Sequence, residues 1–288
     1  MKEDRTATAS PAESAAAPRI GPGSARSVLL TLLGEFVHPS HAPTWTSTLL
    51  YAFAGVGIAE KAARQAIARA AAAGWIENDR DGRRAAWRMT ERATHLISEG
   101  SQRVRSIRTA TAAWKGEWVV LHITLPESRR ADRLRLYRAL SWLGFGSPRP
   151  GLWIGPHADR AEAARAAVEQ LDLAGNTVAF NAQSLGFGVA ERELVAQAWD
   201  LDALSLHYEV LVQHFRELRP RDEEDVFFAH IELVNALQRL PSIDPGLPAA
   251  LLPADWQGTR AGERLDELRA KWRATAHAHW RKVQGQSG

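Results

Sequence analysis

The chain has 288 residues, 36 Lys/Arg against 33 Asp/Glu for a net charge of +3, and 45% apolar residues, a length and composition that point to two or three domains with real cores. Without cysteine it has no disulfide, no thiolate nucleophile and no zinc finger. No apolar run approaches the ~18 residues of a membrane span, and the amino terminus lacks the order of a signal peptide, so a cytoplasmic protein with no membrane partner is expected.

Residues 1–23 are Ala, Ser, Pro and Gly with cancelling charges, too poor in large apolar side chains to fold, and are expected to form a disordered arm. Ser24 is a plausible N-cap for a first helix with the stripe Val28, Leu29, Leu32, Leu33 and Phe36. Residues 39–43 make a loop and residues 44–54 a second helix bearing Trp45, Leu49, Leu50 and Phe53, stopped by Gly55 and Gly57. A third, Ala-rich helix runs into Gly74, with Ala59, Ala63, Ala66, Ile67 and Ala70 on its apolar face and Lys61, Arg64, Gln65 and Ala68 on the other. Trp75 and Ile76 open a hairpin that turns at Asp81-Gly82, carries Arg80, Arg83 and Arg84 at its tip, and returns through residues 86–89. Three helices and a basic hairpin outline a winged helix-turn-helix; the competing reading is a helix and hairpin on an ordinary α/β surface. Charge sides with the first: residues 24–110 carry 12 Lys/Arg against 7 Asp/Glu, residues 111–288 carry 21 against 23.

A fourth helix over residues 90–103 leads to a linker or frayed helix end at 101–116. Residues 118–125 then read as a buried strand, 129–145 as a helix, 151–154 as a strand, 158–173 as a helix and 177–182 as a strand, an alternation that predicts a ferredoxin-like α+β domain over residues 117–190. From residue 191 onward the periodicity is helical, broken by a proline-rich span at 241–256. The fold class expected is multidomain α+β: a winged-helix DNA-binding domain at 24–100, the ferredoxin-like middle domain, and an all-α domain at 191–288.

Lys61, Arg64 and Gln65 are the expected base readers, since Arg, Lys and Gln suit guanine and adenine edges. Arg69, on the helix flank, is as well placed for a phosphate or a neighbouring carboxylate as for a base. Arg83 and Arg84 are expected on phosphate or in a minor groove, and Arg26 on phosphate. An acyl-CoA site would need an apolar slot and cations for its phosphates; Trp142, Phe145 and Trp153 could form the first and Arg135, Arg138 and Arg149 the second, against the alternative that the rings are core and the arginines solvated. No metal site is expected: His277 and His279 fall on nearly opposite helix faces, and His207 and His214 are two turns apart. Neither a phosphate-binding loop nor a nucleophile elbow is present, and no catalytic residue or cofactor is expected.

These residues resemble a known family, the PaaX-type transcriptional repressors of phenylacetate catabolism. The likeness rests on Arg26-Ser27 with Leu32-Leu33-Gly34-Glu35-Phe36, Arg64-x-Ala66-x-x-Arg69, Gly74-Trp75-Ile76 before Gly82-Arg83-Arg84, Trp142-Leu143-Gly144-Phe145-Gly146 and Gly151-Leu152-Trp153-Ile154-x-Pro156. It continues through Asp244-Pro245-x-Leu247-Pro248 and Leu251-Leu252-Pro253-x-x-Trp256-x-Gly258. The resemblance implies a homodimeric, operator-binding repressor of a catabolic operon that an acyl-CoA, typically phenylacetyl-CoA, releases from double-stranded DNA. The chain departs from the pattern at Asn235, Gln238 and Ile243, where the family tends to carry His, Arg and Arg. The middle domain also resembles a CRISPR-associated small nuclease, but the first strand ends Thr124-Leu125-Pro126 without the metal-binding Asp, so nuclease activity is not implied. An enzyme acting on a CoA thioester and an effector-independent nucleic-acid binder are the competing classes.

Overall fold

The computed structural model describes residues 23–81, 84–108 and 114–287, so the expected arm, apart from Gly23, lies outside the described residues. Ser24 does cap the first helix, α1 (Ala25–Leu32): its Oγ accepts the Ser27 N–H at 3.2 Å. The helix then widens into a π turn, Leu33–Val37, closed by the His38 N–H on the Leu33 carbonyl at 2.7 Å. Thr44, expected to open the second helix, instead begins a two-residue strand, β1 (Thr44–Trp45), because its backbone and that of Trp45 pair with a later strand; α2 (Thr46–Gly55) starts only after it.

A turn through Gly57 leads into α3 (Glu60–Ala72), followed by the hairpin β2 (Ile76–Asp81) and β3 (Arg84–Met89). These strands form an antiparallel sheet in the order β1-β3-β2, with Ile76 opposite Met89 and Thr44 opposite Trp87. The next helix, α4 (Glu91–Arg108), continues through residues 101–108, the stretch read as a linker or frayed end.

The middle portion runs β4 (Glu117–Ile123), α5 (Arg130–Trp142), β5 (Gly146–Arg149), β6 (Leu152–Gly155), α6 (Ala161–Gln170) and β7 (Thr177–Gln183). All its strand pairs are antiparallel, in the order β5-β6-β4-β7. Strand β5 has no apolar alternation and contains Pro148, so its sequence does not announce it; as an edge strand with an irregular register it tolerates the missing N–H. Alternation sends Val119, Leu121 and Ile123 towards Leu136, Leu140, Ala164 and Val168 of the two helices. It sends Trp118 to the opposite face, where it packs with Ile154 and with Val195, Leu247 and Leu251 from further along the chain.

Four helices complete the fold: α7 (Glu191–Ala198), α8 (Leu201–Glu217), α9 (Glu223–Arg239) and α10 (Gly258–Ser287), the last longer at both ends than the expected 262–281. Asp222 caps α9, accepting the Asp225 N–H at 2.8 Å, and the acidic residues that follow suit the helix dipole. Helices α8, α9 and α10 meet through Leu204, Leu211, Phe215, Leu233, Leu265 and Trp272.

The amino-terminal unit does not have a core of its own. Val28, Leu32, Phe36, Phe53, Ala63 and Ile67 share one buried cluster with Phe227 and Ile231 of α9 and Ala276 and Trp280 of α10. Phe36 stacks on Trp280 with ring centroids 4.9 Å apart, and Phe227 is fully buried between the two units. Replacing Phe227 by alanine should therefore lower stability by about 3–5 kcal/mol while leaving a single unfolding transition for α1–α3 and α8–α10, read by urea unfolding with near-UV circular dichroism. Two resolved transitions in the unaltered protein would contradict a shared core.

Candidate nucleic-acid interface and its support

Helix α3 turns Ala63, Ala66, Ile67 and Ala70 onto the core and leaves Lys61, Arg64, Gln65, Ala68 and Arg69 exposed, the division its spacing predicted; Ala59 precedes the helix and is exposed. Small side chains at 62, 68 and 72 keep the exposed ridge low between the long ones. Arg64 pairs with Glu60 through Nε at 2.8 Å, but both side chains are solvated, and such i,i+4 pairs are worth only about 0.3–0.5 kcal/mol, so the guanidinium is cheaply redirected. Arg69 donates from Nε to the Gln65 carbonyl at 3.2 Å.

Arg26 lies 4.8 Å from the centroid of the Trp75 ring, a cation–π contact that joins the start of α1 to the start of the hairpin. The hairpin is tied to α2: the Trp87 indole donates to Thr46 Oγ1 at 2.9 Å, and Thr46 donates to the Ala85 carbonyl at 3.0 Å. Arg83 and the side chains of Arg80 and Arg84 lie outside the described residues.

Beneath this surface, α1 presents a polar stripe to α9 and α10. Ser27 Oγ donates to Asn235 Oδ1 at 2.5 Å, and Thr31 Oγ1 lies 3.1 Å from the same oxygen and 3.0 Å from Gln238 Oε1. Glu35, buried on the π turn, ends the stripe. Its Oε1 accepts from Nε2 of His230 and Nε2 of His277, each at 3.1 Å, and its Oε2 from Arg269 at 2.5 Å, with Arg273 Nε 3.6 Å from Oε1. Burial alone would raise this carboxyl; the donations from His230 and His277 and the Arg269 guanidinium outweigh it and hold the group far below the usual carboxylate range. Burial pushes His230 down, favouring the neutral imidazole. On α2, Tyr51 adds a third tie, its hydroxyl 2.7 Å from both Glu224 Oε1 of α9 and His279 Nε2 of α10.

Glu35, His230 and His277 bring donor atoms within 4.8 Å of one another, close enough to hold a metal ion. The chemistry of the cluster fits an ion pair better. Arg269 and Arg273 already offset the carboxylate, and Nδ1 of His230 finds no acceptor among the described residues, whereas a metal-ligating imidazole nearly always has one. Pairs close in sequence could not have revealed this group, because its members are 195 and 242 positions apart. The legible signal is periodic instead: Ser27, Thr31 and Glu35 on one helix, and Arg269, Arg273 and His277 on another, each recur every fourth residue.

A second buried polar group joins all three portions. Arg103 of α4 donates from Nε to the Trp142 carbonyl at 3.0 Å, and Arg160 donates to the Leu143 and Pro245 carbonyls at 2.9 and 3.0 Å. Both guanidiniums thus cap the carboxyl end of α5, where the helix dipole favours cations. Asp244 accepts from Tyr208 at 2.5 Å and from the Gly246 N–H at 2.7 Å. Burial lowers Arg160 to about 9 and Arg103 to about 10. Gly144, at φ +85°, is required here, since a Cβ would come within 2.5 Å of Arg160 and the Pro245 carbonyl.

The residues expected around an effector are divided. Phe145 and Trp153 are buried in the middle core, whereas Trp142, Arg135 and Arg138 share an exposed stripe of α5 and Arg149 is exposed on β5. Asn235 and Gln238 face α1, and Ile243 is 46% exposed.

Three family profiles match the chain in order: "PaaX-like protein" over residues 24–93, "PaaX protein central Cas2-like domain" over 111–195 and "PaaX-like protein C-terminal domain" over 199–282. The chain is 30% identical over 251 residues to the transcriptional repressor PaaX of Escherichia coli (strain K12), covering 83% of this chain and 78% of that one. It is similar in structure to the uncharacterized protein Rv0674 from Mycobacterium tuberculosis, with a TM-score of 0.57 and 25% identity over 91% of this chain and 99% of that one. The chain belongs to the PaaX family. Among the described residues no helix is long and apolar enough to cross a membrane.

Partly buried His157 should contribute to the pH dependence of stability. His157 donates from Nε2 to the Gly246 carbonyl at 2.7 Å, and burial, then the nearby Arg160, pushes its imidazole from 6.5 down to about 4. The unfolded chain therefore binds its proton first, so stability falls as pH drops from about 6.5 towards 4. His157→Gln, which keeps a donor for Gly246, should remove about 1–3 kcal/mol of that pH dependence in chemical unfolding curves; an unchanged slope would contradict the assignment.

Proposed function

We propose that the chain is a DNA-binding transcriptional repressor that acts as a homodimer on a pseudo-palindromic operator and is released by an aryl-acyl-CoA. The observation that carries DNA binding is the exposed face of α3, with Lys61, Arg64 and Gln65 standing clear of alanines beside a basic hairpin. In this reading α1–α3 with β1–β3 are a winged helix-turn-helix, α3 enters the major groove, and Arg83 and Arg84 follow the backbone or minor groove. Arg69 and Arg26 serve phosphate, Arg26 after leaving Trp75.

The β-α-β-β-α-β order of the middle portion and its β5-β6-β4-β7 sheet support a ferredoxin-like domain. Two-fold pairing would present two α3 helices to half-sites spaced by whole helical turns. Family membership supports this choice of effector; Arg135, Arg138, Arg149 and Trp142 are the candidates that a CoA thioester can reach from solvent. It can release DNA only by binding more tightly to an arrangement that does not fit the operator.

The test is fluorescence anisotropy of a labelled duplex from the gene's own upstream region, at fixed physiological salt, with and without phenylacetyl-CoA. Tight binding abolished by the thioester is expected. Equal affinity for random duplex would overturn operator recognition, and binding unmoved by the thioester would overturn the effector. Alanine at Lys61, Arg64 or Gln65 should each cost about 1–3 kcal/mol of operator binding in the same assay.

A further inference from the structure

We propose that Glu35 is a positioning residue for DNA binding: with the polar stripe it ends, it holds the reading head, α1–α3 and their hairpin, in one orientation on α9 and α10. The inference rests on the DNA-binding reading above and goes beyond it, because Glu35 is buried against α9 and α10, whereas the proposed readers stand on the exposed face of α3.

Apolar contacts such as Phe36 on Trp280 or Phe227 in the shared cluster supply adhesion, but they are non-directional and tolerate sliding. Hydrogen bonds do not. Ser27, Thr31 and Glu35 meet Asn235, Gln238 and His230 along the α1–α9 seam, and Arg269, Arg273 and His277 close on the same carboxylate from α10. A shift of α1 by one turn would draw the buried carboxylate away from His230, His277 and the arginines that offset its charge, so one register is selected over its neighbours. Glu35 itself lies within the π turn that follows α1, four residues beyond Thr31 on the same face. Because α1 and α2 both pack on α3, the orientation of α1 is the orientation of the proposed recognition helix.

The test uses full-length protein, the labelled upstream duplex and a random duplex of equal length at several salt concentrations. Glu35→Gln keeps the side-chain size but turns an amide towards Arg269. Its operator affinity should fall about tenfold or more, while random-duplex affinity stays within about twofold and the salt dependence of both is unchanged, since phosphate contacts are intact. Arg269→Lys, which preserves a donor to the carboxylate, should retain most of the discrimination. A folded Glu35→Gln protein with the unaltered ratio of operator to random affinity overturns the proposal, as does a loss of both affinities in proportion. If Glu35→Gln does not fold, Asn235→Leu at the other end of the stripe decides by the same ratio. Failure of the underlying reading is distinct: the unaltered protein would then show no preference for the operator.

Discussion

One buried carboxylate fixes how this protein is put together. Glu35 could not remain ionised under α9 and α10 without partners, because the loss of hydration would cost more than an isolated pair returns. It has four, on two helices, and satisfying it forces α1 against both. The remainder of the amino-terminal unit follows: α3 packs on α1, the hairpin follows α3, and Tyr51 brings α2 to the same pair of helices. The surface proposed to meet DNA is thus the outer face of a body whose inner face is the carboxy-terminal domain.

The middle portion is held by different physics. Arg103 and Arg160 enter the interior with Asp244 as their buried carboxylate, and the carboxyl end of α5 supplies much of what they need through its unpaired carbonyls. The segment at 244–251 faces two ways: Asp244 and Pro245 meet the arginines, while Leu247 and Leu251 cover the second face of the sheet beside Trp118.

Much of the fold was legible because its signals are local. The Ser24 cap, the two faces of α3, the Gly74 stop and the hairpin follow from spacing within a few residues, and so do the strands β4, β6 and β7. The misses share a cause. Thr44 and Trp45 read as helix and are strand because β3, some 40 positions away, offers them hydrogen bonds; β5 reads as loop because pairing at a sheet edge, not its composition, makes it a strand. The seam was written in the sequence as polar residues every fourth position on two helices, but nothing local said that the helices meet. Phe145 and Trp153 illustrate the converse, since aromatic content alone did not distinguish a ligand slot from a core.

Whether α1–α3 and the carboxy-terminal helices form one cooperative body joined at Glu35 is tested most directly by native-state hydrogen exchange on the full-length protein. Amides of α1 and α3 should exchange with the same opening free energy and denaturant dependence as those of α9 and α10. An α1–α3 unit that opens well below the free energy of α9 and α10 would contradict it.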